Sequence, residues 1–343
     1  MTEVACGNQT FLFSRREARG DHKTFETLVR TRRMDGSYSM PAVGLGSQSL
    51  MSHNLAVLCV EGGTLLAYGG MAHLPTSEDW QGHDIGIVAR AADASRLPLQ
   101  WGPERLIRSG DKTSTGCIDE LNHPCEYDGK LSAVKYRGGV MLFTRSNLAA
   151  RGGARHVQVT RSRDGLSGWS RFEQLKLGSV GAARPGEIYF FTVRRIALQQ
   201  RGARMGGARG GLLLGLFPGV VDGESGIFMT TSADRAGVVW SQPTLLIASP
   251  NVGHGRTRDY PVDGMLHVAM PLPHSTKAGR GVASDLEATG EDSLRLVVEH
   301  QVDLRDYTSA SMDTGCFTIG RPYLCSYLLP KASILAGAVA AGP

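Results

Sequence analysis

The chain has 343 residues, of which 41% are hydrophobic and 20% are charged, with 44 glycines and a formal net charge of +5. This composition predicts a globular protein with a large core and many tight turns, and it excludes a disordered or fibrous chain. The charge is close to neutral outside one arginine-rich stretch, so a nucleic-acid-binding field over the whole protein is not expected.

The two chain ends carry no pattern typical of membrane insertion. No apolar run is long enough to span a bilayer, and residues 1–4 lack the basic and apolar regions of a signal peptide. The tail, residues 332–343, is apolar but short and rich in small residues. We therefore expect a soluble protein with one domain over residues 1–331, whose compartment and oligomeric state the sequence leaves open.

One pattern returns along the chain: an alternating strand, an aspartate turn, an aromatic residue and a short apolar strand. The aspartates are, in chain order, Asp35, Asp93, Asp164, Asp234 and Asp303. The last four are separated by 71, 70 and 69 residues. Because this length suits four antiparallel strands stacked around an axis, the sequence predicts an all-β fold, a five-bladed β-propeller of four-stranded antiparallel blades.

The two chain ends also bear on how the propeller closes. The first repeat is short of strands at its N-terminus, whereas two strands, 316–320 and 323–329, are left over at the C-terminus. We expect those strands to pair with residues 10–13 and 27–33, which closes the ring and removes its open edges.

The aspartate turns resemble the Asp box of sialidases and related propellers. Ser162, Asp164 and Trp169 keep the spacing of that motif, although the glycines fall at 165 and 168. In such a turn the carboxylate accepts backbone amides and the indole packs against the neighbouring sheet. These roles are structural, so the aspartates of the turns are excluded from the candidate catalytic residues.

Six cysteines are too few for a disulfide scaffold in a chain of this length. Cys59 lies in an alternating strand and is expected to be a buried thiol. Cys117 and Cys125, with His123 between them, indicate either a disulfide loop or a zinc site. Zinc is the less favoured alternative because a fourth ligand is missing. We expect no cofactor, and a bound calcium ion stays open although no calcium-binding loop is legible.

Polar residues precede the predicted innermost strands of four repeats, where they would face a shared funnel at the axis. They are His53 and Asn54, Glu126 and Asp128, Glu187 and Tyr189, and Arg258, Asp259, Tyr260 and Asp263. Carboxylates brought together from different blades suit glycoside hydrolysis, in which one group protonates the leaving oxygen and another activates water or attacks carbon. Crowding raises the pKa of one member, which then acts as the acid. The structural alternative is that these residues cap strands or bind loop amides.

In these polar residues before the innermost strands, the chain resembles the five-bladed glycosidase propellers, which are the arabinanase, xylosidase and invertase-like group. That resemblance implies a base aspartate in the first blade, a second aspartate in the next and an acid glutamate in the third. Asp128 matches the second place and Glu187 matches the glutamate place. His53 and Asn54 stand where the base aspartate is expected, and Glu126 is the candidate substitute.

Sialidases offer a second resemblance, because they bind a substrate carboxylate with a cluster of arginines and use a tyrosine nucleophile. It implies Arg90, Arg145 and Arg258 as carboxylate ligands, and Tyr189 or Tyr260 as the nucleophile. Sialidases have six blades, however, and isolated arginines are usually solvated or paired on the surface.

Three functions stay open at this point. The first is a glycan-active enzyme, a glycoside hydrolase for a glycan or small sugar, with Glu187, Asp128 and Glu126 as catalytic residues. The second is a propeller that binds carbohydrate or protein without chemistry. The third, which is less favoured, is an RNA-associated scaffold that uses the arginine- and glycine-rich loop 194–211. The structural alternative for that loop is a hairpin extension between two strands of one blade.

Overall fold

The computed structural model describes residues 2–18, 21–33, 38–45, 55–70, 86–121, 124–125, 127, 131–148, 154–178, 185–188, 191–197, 211–221, 224–248, 266–269, 286–288, 293–300, 316–318 and 323–330. These residues are almost entirely β-structure. Within them lie one short α-helix, α1 (Lys112–Thr115), and one turn of 3-10 helix (Glu61–Gly63). The predicted tail, residues 332–343, lies outside them. None of the helices in these ranges is long and apolar enough to cross a membrane.

Three four-stranded antiparallel meanders follow one another along the chain. The first comprises β1 (Thr2–Cys6), β2 (Gln9–Ala18), β3 (Asp21–Thr31) and β4 (Ala42–Leu45). The second comprises β5 (Ala56–Val60), β6 (Thr64–Gly70), β7 (Gly86–Asp93) and β8 (Arg105–Ser109). The third comprises β9 (Ser132–Tyr136), β10 (Gly139–Leu148), β11 (Ala154–Ser162) and β12 (Glu173–Gln174). These three sheets match the blade predicted from the repeat.

The fourth sheet keeps the meander order but has a divided first strand. It comprises β14 (Pro185–Ile188), β15 (Thr192–Ala197), β16 (Gly211–Val221), β17 (Glu224–Ser232) and β19 (Thr244–Ala248). Two short strands lie outside this sheet: β13 (Lys176–Leu177), which precedes it, and β18 (Val239–Trp240), which lies between β17 and β19. Both β14 and β15 pair with the same edge of β16. β13 and β18 form a parallel pair that joins the third sheet to the fourth.

The C-terminal sheet has a different strand order. It comprises β20 (Leu266–Ala269), β21 (Leu286–Ala288), β22 (Ser293–His300), β23 (Cys316–Thr318) and β24 (Tyr323–Pro330), in the order β20-β22-β24-β23 with β21 also on β22. The apolar strand β24 pairs along all of β22, whereas β23 has only three residues and takes the edge. The prediction of five like blades is therefore wrong, because the described residues show four meander blades and one sheet of another order.

The predicted pairing of the C-terminal strands with β2 and β3 is also wrong, whereas closure of the ring itself stays a prediction. Gly7 adopts a left-handed conformation that turns the chain directly from β1 into β2, so the N-terminal blade already has four strands. β2 and β3 are thus paired on both edges within their own sheet. In the described ranges β23 and β24 pair only within the C-terminal sheet.

The four meander blades pack face to face in the manner of a propeller. Their first strands β1, β5, β9 and β15 are neighbours in succession. Leu65 and Leu66 are adjacent in β6, yet they belong to different clusters, one shared with the first blade and one with the third. Leu142 and Phe143 divide in the same way between the second and fourth blades. Strands buried on both faces explain why the blades have nearly continuous apolar runs.

The tryptophans that follow three of the aspartate turns pack against the preceding blade, as predicted. Trp101 meets Phe13 with ring centroids 6.2 Å apart, and Trp169 meets Tyr68 at 6.0 Å. Trp240 meets a phenylalanine of the third blade at 5.9 Å. All of these contacts are edge-on, which is a favoured arrangement of aromatic pairs.

The aspartates of the turns hold backbone amides, as predicted. Asp164 accepts the amides of Leu166 and Ser167, both at 2.8 Å. The Ser167 hydroxyl and these amides lower the pKa of the Asp164 carboxyl. Asp234 accepts three amides and Asp93 accepts one. Asp35 and Asp303 lie outside the described residues.

Cys59 is not the buried thiol that the sequence predicted. It forms a disulfide with Cys6, because β1 and β5 lie side by side in neighbouring blades. Cys117 and Cys125 form a second disulfide, which is the loop alternative of the prediction. His123 lies outside the described residues.

The arginine- and glycine-rich loop connects two paired strands of one blade, as the alternative to an RNA-binding loop predicted. Arg194 and Arg195 belong to β15 rather than to the loop, and Ala197 pairs with Gly211 of β16. Residues 198–210 lie outside the described residues.

Candidate active site

The two ends of the blades carry different residues. In the third blade, Tyr136 of β9 pairs with Gly139, and Val140 pairs with Ser162, which leads into the aspartate turn. At the opposite end Ser132 begins β9, and β10 continues past it to Leu148. We call this opposite end, where the innermost strands begin, the entry end. The aspartate turns and the entry end thus lie at opposite ends of the sheet.

Tyr127 lies between the predicted carboxylates Glu126 and Asp128 in sequence, in the connection from β8 of the second blade to β9 of the third. Its side chain is fully buried, and its hydroxyl donates a hydrogen bond to the Ser109 carbonyl oxygen at 2.9 Å. Its ring lies 5.5 Å from the ring of Phe172. Burial raises the pKa of the Tyr127 hydroxyl, so the group stays a neutral donor. The flanking residues Glu126 and Asp128 lie outside the described residues.

The backbone of Tyr127 crosses the entry end of β6. A Cβ atom added to Gly70 would lie 2.3 Å from the Tyr127 carbonyl oxygen, so only glycine leaves room for this crossing. Gly70 is the last residue of β6, two positions beyond Tyr68, which pairs with the first residue of β5. The backbone between the two candidate carboxylates therefore lies where the innermost strand of the second blade begins.

Glu187 lies at the entry end of the fourth blade. Its backbone belongs to β14 and pairs with Val220, next to a bulge. β15 begins opposite Leu216, so residues 217–221 of β16 continue past the innermost strand and carry β14 beside them. β14 also neighbours β11 of the third blade. The backbone of Glu187 therefore lies beside the end of β16, and the catalytic role of Glu187 stays a prediction.

Arg145 lies at the entry end and Arg90 does not. Arg145 follows Phe143 on the face of β10 that packs toward Phe191 of the fourth blade, and it is partly buried. Arg90 lies in the middle of β7, where its Nε donates to the Gly102 carbonyl oxygen at 2.7 Å. That bond ties β7 to the segment after Trp101. Both substrate-binding roles stay predictions.

Most of the other predicted site residues lie outside the described residues. They are His53, Asn54, Glu126, Asp128, Tyr189, Arg258, Asp259, Tyr260 and Asp263.

A buried polar group at the entry end was missed by the sequence analysis. Asn147 Nδ2 donates to Asp119 Oδ2 at 2.9 Å, and both side chains are at most 3% exposed. Gln158, which is also buried, accepts the Ile118 amide at 2.8 Å and donates to the Arg145 carbonyl oxygen at 2.9 Å. The polar residues 144–147 at the end of an otherwise apolar strand were the available sign of this group.

Comparison with solved structures identifies the fold of this chain. The catalytic domain of a GH62 α-L-arabinofuranosidase from Coprinopsis cinerea matches with a TM-score of 0.52 and 12% identity, over 96% of this chain and 90% of that chain. The chain has the fold of the propeller glycoside hydrolases. A family 117 glycoside hydrolase from Zobellia galactanivorans matches with a TM-score of 0.45 and 11% identity, over 94% of this chain and 82% of that chain.

The α-L-arabinanase of Cellvibrio cellulosa matches with a TM-score of 0.42 and 11% identity, over 71% of this chain and 76% of that chain. At these identities the likeness concerns the fold. No family model matches the sequence, and no curated protein matches it either.

Proposed function

We propose that this protein is a glycan-active enzyme, a glycoside hydrolase whose carboxylates act at the entry end of the blades. The observation that carries the proposal is the position of two backbones at that end: Tyr127, which lies between Glu126 and Asp128, and Glu187 in β14. Glycoside hydrolysis needs two carboxylates on opposite sides of one bond, about 5 to 10 Å apart. Carboxylates from neighbouring blades suit that spacing.

The proposed roles follow the chemistry of the reaction. Glu187 is the general acid that protonates the leaving oxygen, and Asp128 or Glu126 is its carboxylate partner, as base or nucleophile. The substrate is a glycan or small sugar. It contacts the polar residues predicted near the strand entries, which are His53, Asn54, Arg145, Tyr189, Arg258, Asp259, Tyr260 and Asp263.

A panel of aryl glycosides tests the proposal, with α-L-arabinofuranosides tried first because a GH62 arabinofuranosidase shares the fold. We expect Glu187→Gln to lower kcat by about 10²- to 10⁴-fold on substrates with poor leaving groups. The loss should be smaller with a nitrophenyl leaving group, which needs little protonation. Glu61→Gln is the matched control, because Glu61 is exposed, pairs with Lys135 and follows β5 at the end opposite its entry.

Two results would contradict the proposal. One is the absence of leaving-group release from every glycoside in the panel, and the other is unchanged turnover in Glu187→Gln. The presence of His53 and Asn54 at the place of the expected base favours one other candidate function, a propeller that binds glycan or protein without chemistry. Glycan binding without turnover would support that second candidate.

A further inference from the structure

The connection from β8 to β9, residues 110–131, is tied to both blades that it joins. Its helix α1 is capped by Asp111, whose carboxylate accepts the amides of Thr113 and Ser114, both at 3.0 Å. The Thr115 carbonyl oxygen at the end of the helix accepts the guanidinium of Arg108 at 2.7 Å. It also accepts a backbone amide of the third blade at 2.9 Å. The first half of the connection is therefore held by the second and third blades together.

The second half of the connection is closed on itself and anchored again. The disulfide joins Cys117 to Cys125, which are eight residues apart. The Cys125 amide donates to the Gly110 carbonyl oxygen at 2.9 Å, which returns the chain to the end of β8. Between the cysteines, the buried Asp119 carboxylate accepts the Asn147 side chain from β10. The chain thus reaches residue 126 from a fixed starting point.

Three contacts hold Tyr127 in place between Cys125 and Leu131. Its hydroxyl is bound to Ser109, its ring packs on Phe172, and its carbonyl oxygen lies against Gly70. Ser109 and Gly70 belong to the second blade, and Phe172 belongs to the third. Because consecutive Cα atoms are about 3.8 Å apart, a displacement of Tyr127 displaces the residues on both sides of it.

We propose that Tyr127 is a positioning residue for its chain neighbours Glu126 and Asp128, and that its buried contacts with the second and third blades keep it in place for the reaction. This inference rests on the proposed function. Acid–base and nucleophilic groups must be held within about 0.5 Å of their productive geometry, and a displacement of about 1 Å can cost 10²-fold in rate. A buried tyrosine with no exposed atoms touches no substrate, so it acts through its neighbours.

Tyr68 is a matched control for Tyr127. Both tyrosines are fully buried, and each donates its hydroxyl to a backbone carbonyl, Tyr127 to Ser109 at 2.9 Å and Tyr68 to Gly165 at 3.0 Å. Burial raises the pKa of both hydroxyls. Tyr68, however, holds the turn at Asp164. Replacing either by phenylalanine removes one hydroxyl and is expected to reduce the unfolding free energy by similar amounts.

The experiment compares Tyr127→Phe with Tyr68→Phe in the full chain. We expect Tyr127→Phe to lower kcat on aryl glycosides by about tenfold or more, with KM within about twofold and a shifted pH profile of kcat. Amide hydrogen exchange in residues 117–131 should become faster in this variant. Tyr68→Phe should leave kcat, the pH profile and that exchange unchanged.

Equal kcat and equal exchange in the two variants would overturn the inference. If the wild-type protein releases no sugar, the proposed function fails, and hydrogen exchange alone decides whether Tyr127 holds residues 126 and 128. If Tyr127→Phe does not fold, Gly70→Ala displaces the same backbone from the other side. Gly139→Ala is its control, since that Cβ would lie 2.9 Å from the Ser162 carbonyl oxygen at the aspartate-turn end.

Discussion

The disulfide between Cys6 and Cys59 should contribute more to stability than the one between Cys117 and Cys125. Cys6 ends β1 and Cys59 lies in β5, so the bond ties the first strands of two blades and closes a segment with a sequence separation of 53 residues. The second disulfide closes a separation of only 8 residues. A longer closed loop removes more conformational freedom from the unfolded chain, which raises its free energy.

The loop lengths give the size of the difference. For closed loops of these lengths, the chain-entropy relation gives about 4 kcal/mol for the long loop and about 2.5 kcal/mol for the short one at 25 °C. The larger contribution is a substantial part of the roughly 5 to 15 kcal/mol by which folded domains are stable. Loss of the first disulfide also frees the first blade from the second at their inner strands.

Urea denaturation of two double variants without reductant measures this prediction. We expect Cys6→Ala with Cys59→Ala to lose about 1.5 kcal/mol more unfolding free energy than Cys117→Ala with Cys125→Ala. Thiol titration of the unfolded, unreduced wild-type protein is the control, because at most two of its six cysteines should react. Equal losses in the two variants, or more than two reactive thiols, would refute the reasoning.

Two further predictions concern the aspartate turns and their tryptophans. Trp240 is 2% exposed and packs on Phe143. Trp240→Ala should therefore lower the unfolding free energy, measured by urea denaturation, by about 3 to 5 kcal/mol. Val239 is an exposed neighbour, so the control variant Val239→Ala should change the unfolding free energy by less than about 0.5 kcal/mol. The Ser167 hydroxyl lowers the pKa of Asp164, so the stability that this carboxylate confers is present above about pH 4 and is lost as the pH falls further. The stability difference between the wild-type protein and Asp164→Asn should therefore shrink on acidification; a growing difference would contradict this.

The candidate site was predictable from sequence only in part. Polar residues directly before apolar strands indicated the entry end, and the structure places the backbones of Tyr127 and Glu187 there. The buried pair Asp119 and Asn147 was not predictable, because its members are 28 residues apart and meet only where the connection from β8 to β9 folds back against β10. A polar side chain has the same sequence signature whether it faces water or a buried partner.

The sequence by itself determined the local features of this protein. The alternation of apolar residues, the spacing of the aspartates and the aromatic residue after each turn predicted the blades and the roles of Asp93, Asp164 and Asp234. Each of these features depends on contacts within a strand or a turn, or on one large apolar side chain that has to be buried.

Only the tertiary structure decided which distant segments meet. β24 pairs along β22 and leaves β23 at the edge, β1 completes the first blade, and Cys59 meets Cys6 across a blade interface. Backbone hydrogen bonds are alike for every strand, so they do not select a partner. The choice depends on how much apolar surface each pairing buries and on how long a loop it closes, and both are properties of the whole fold.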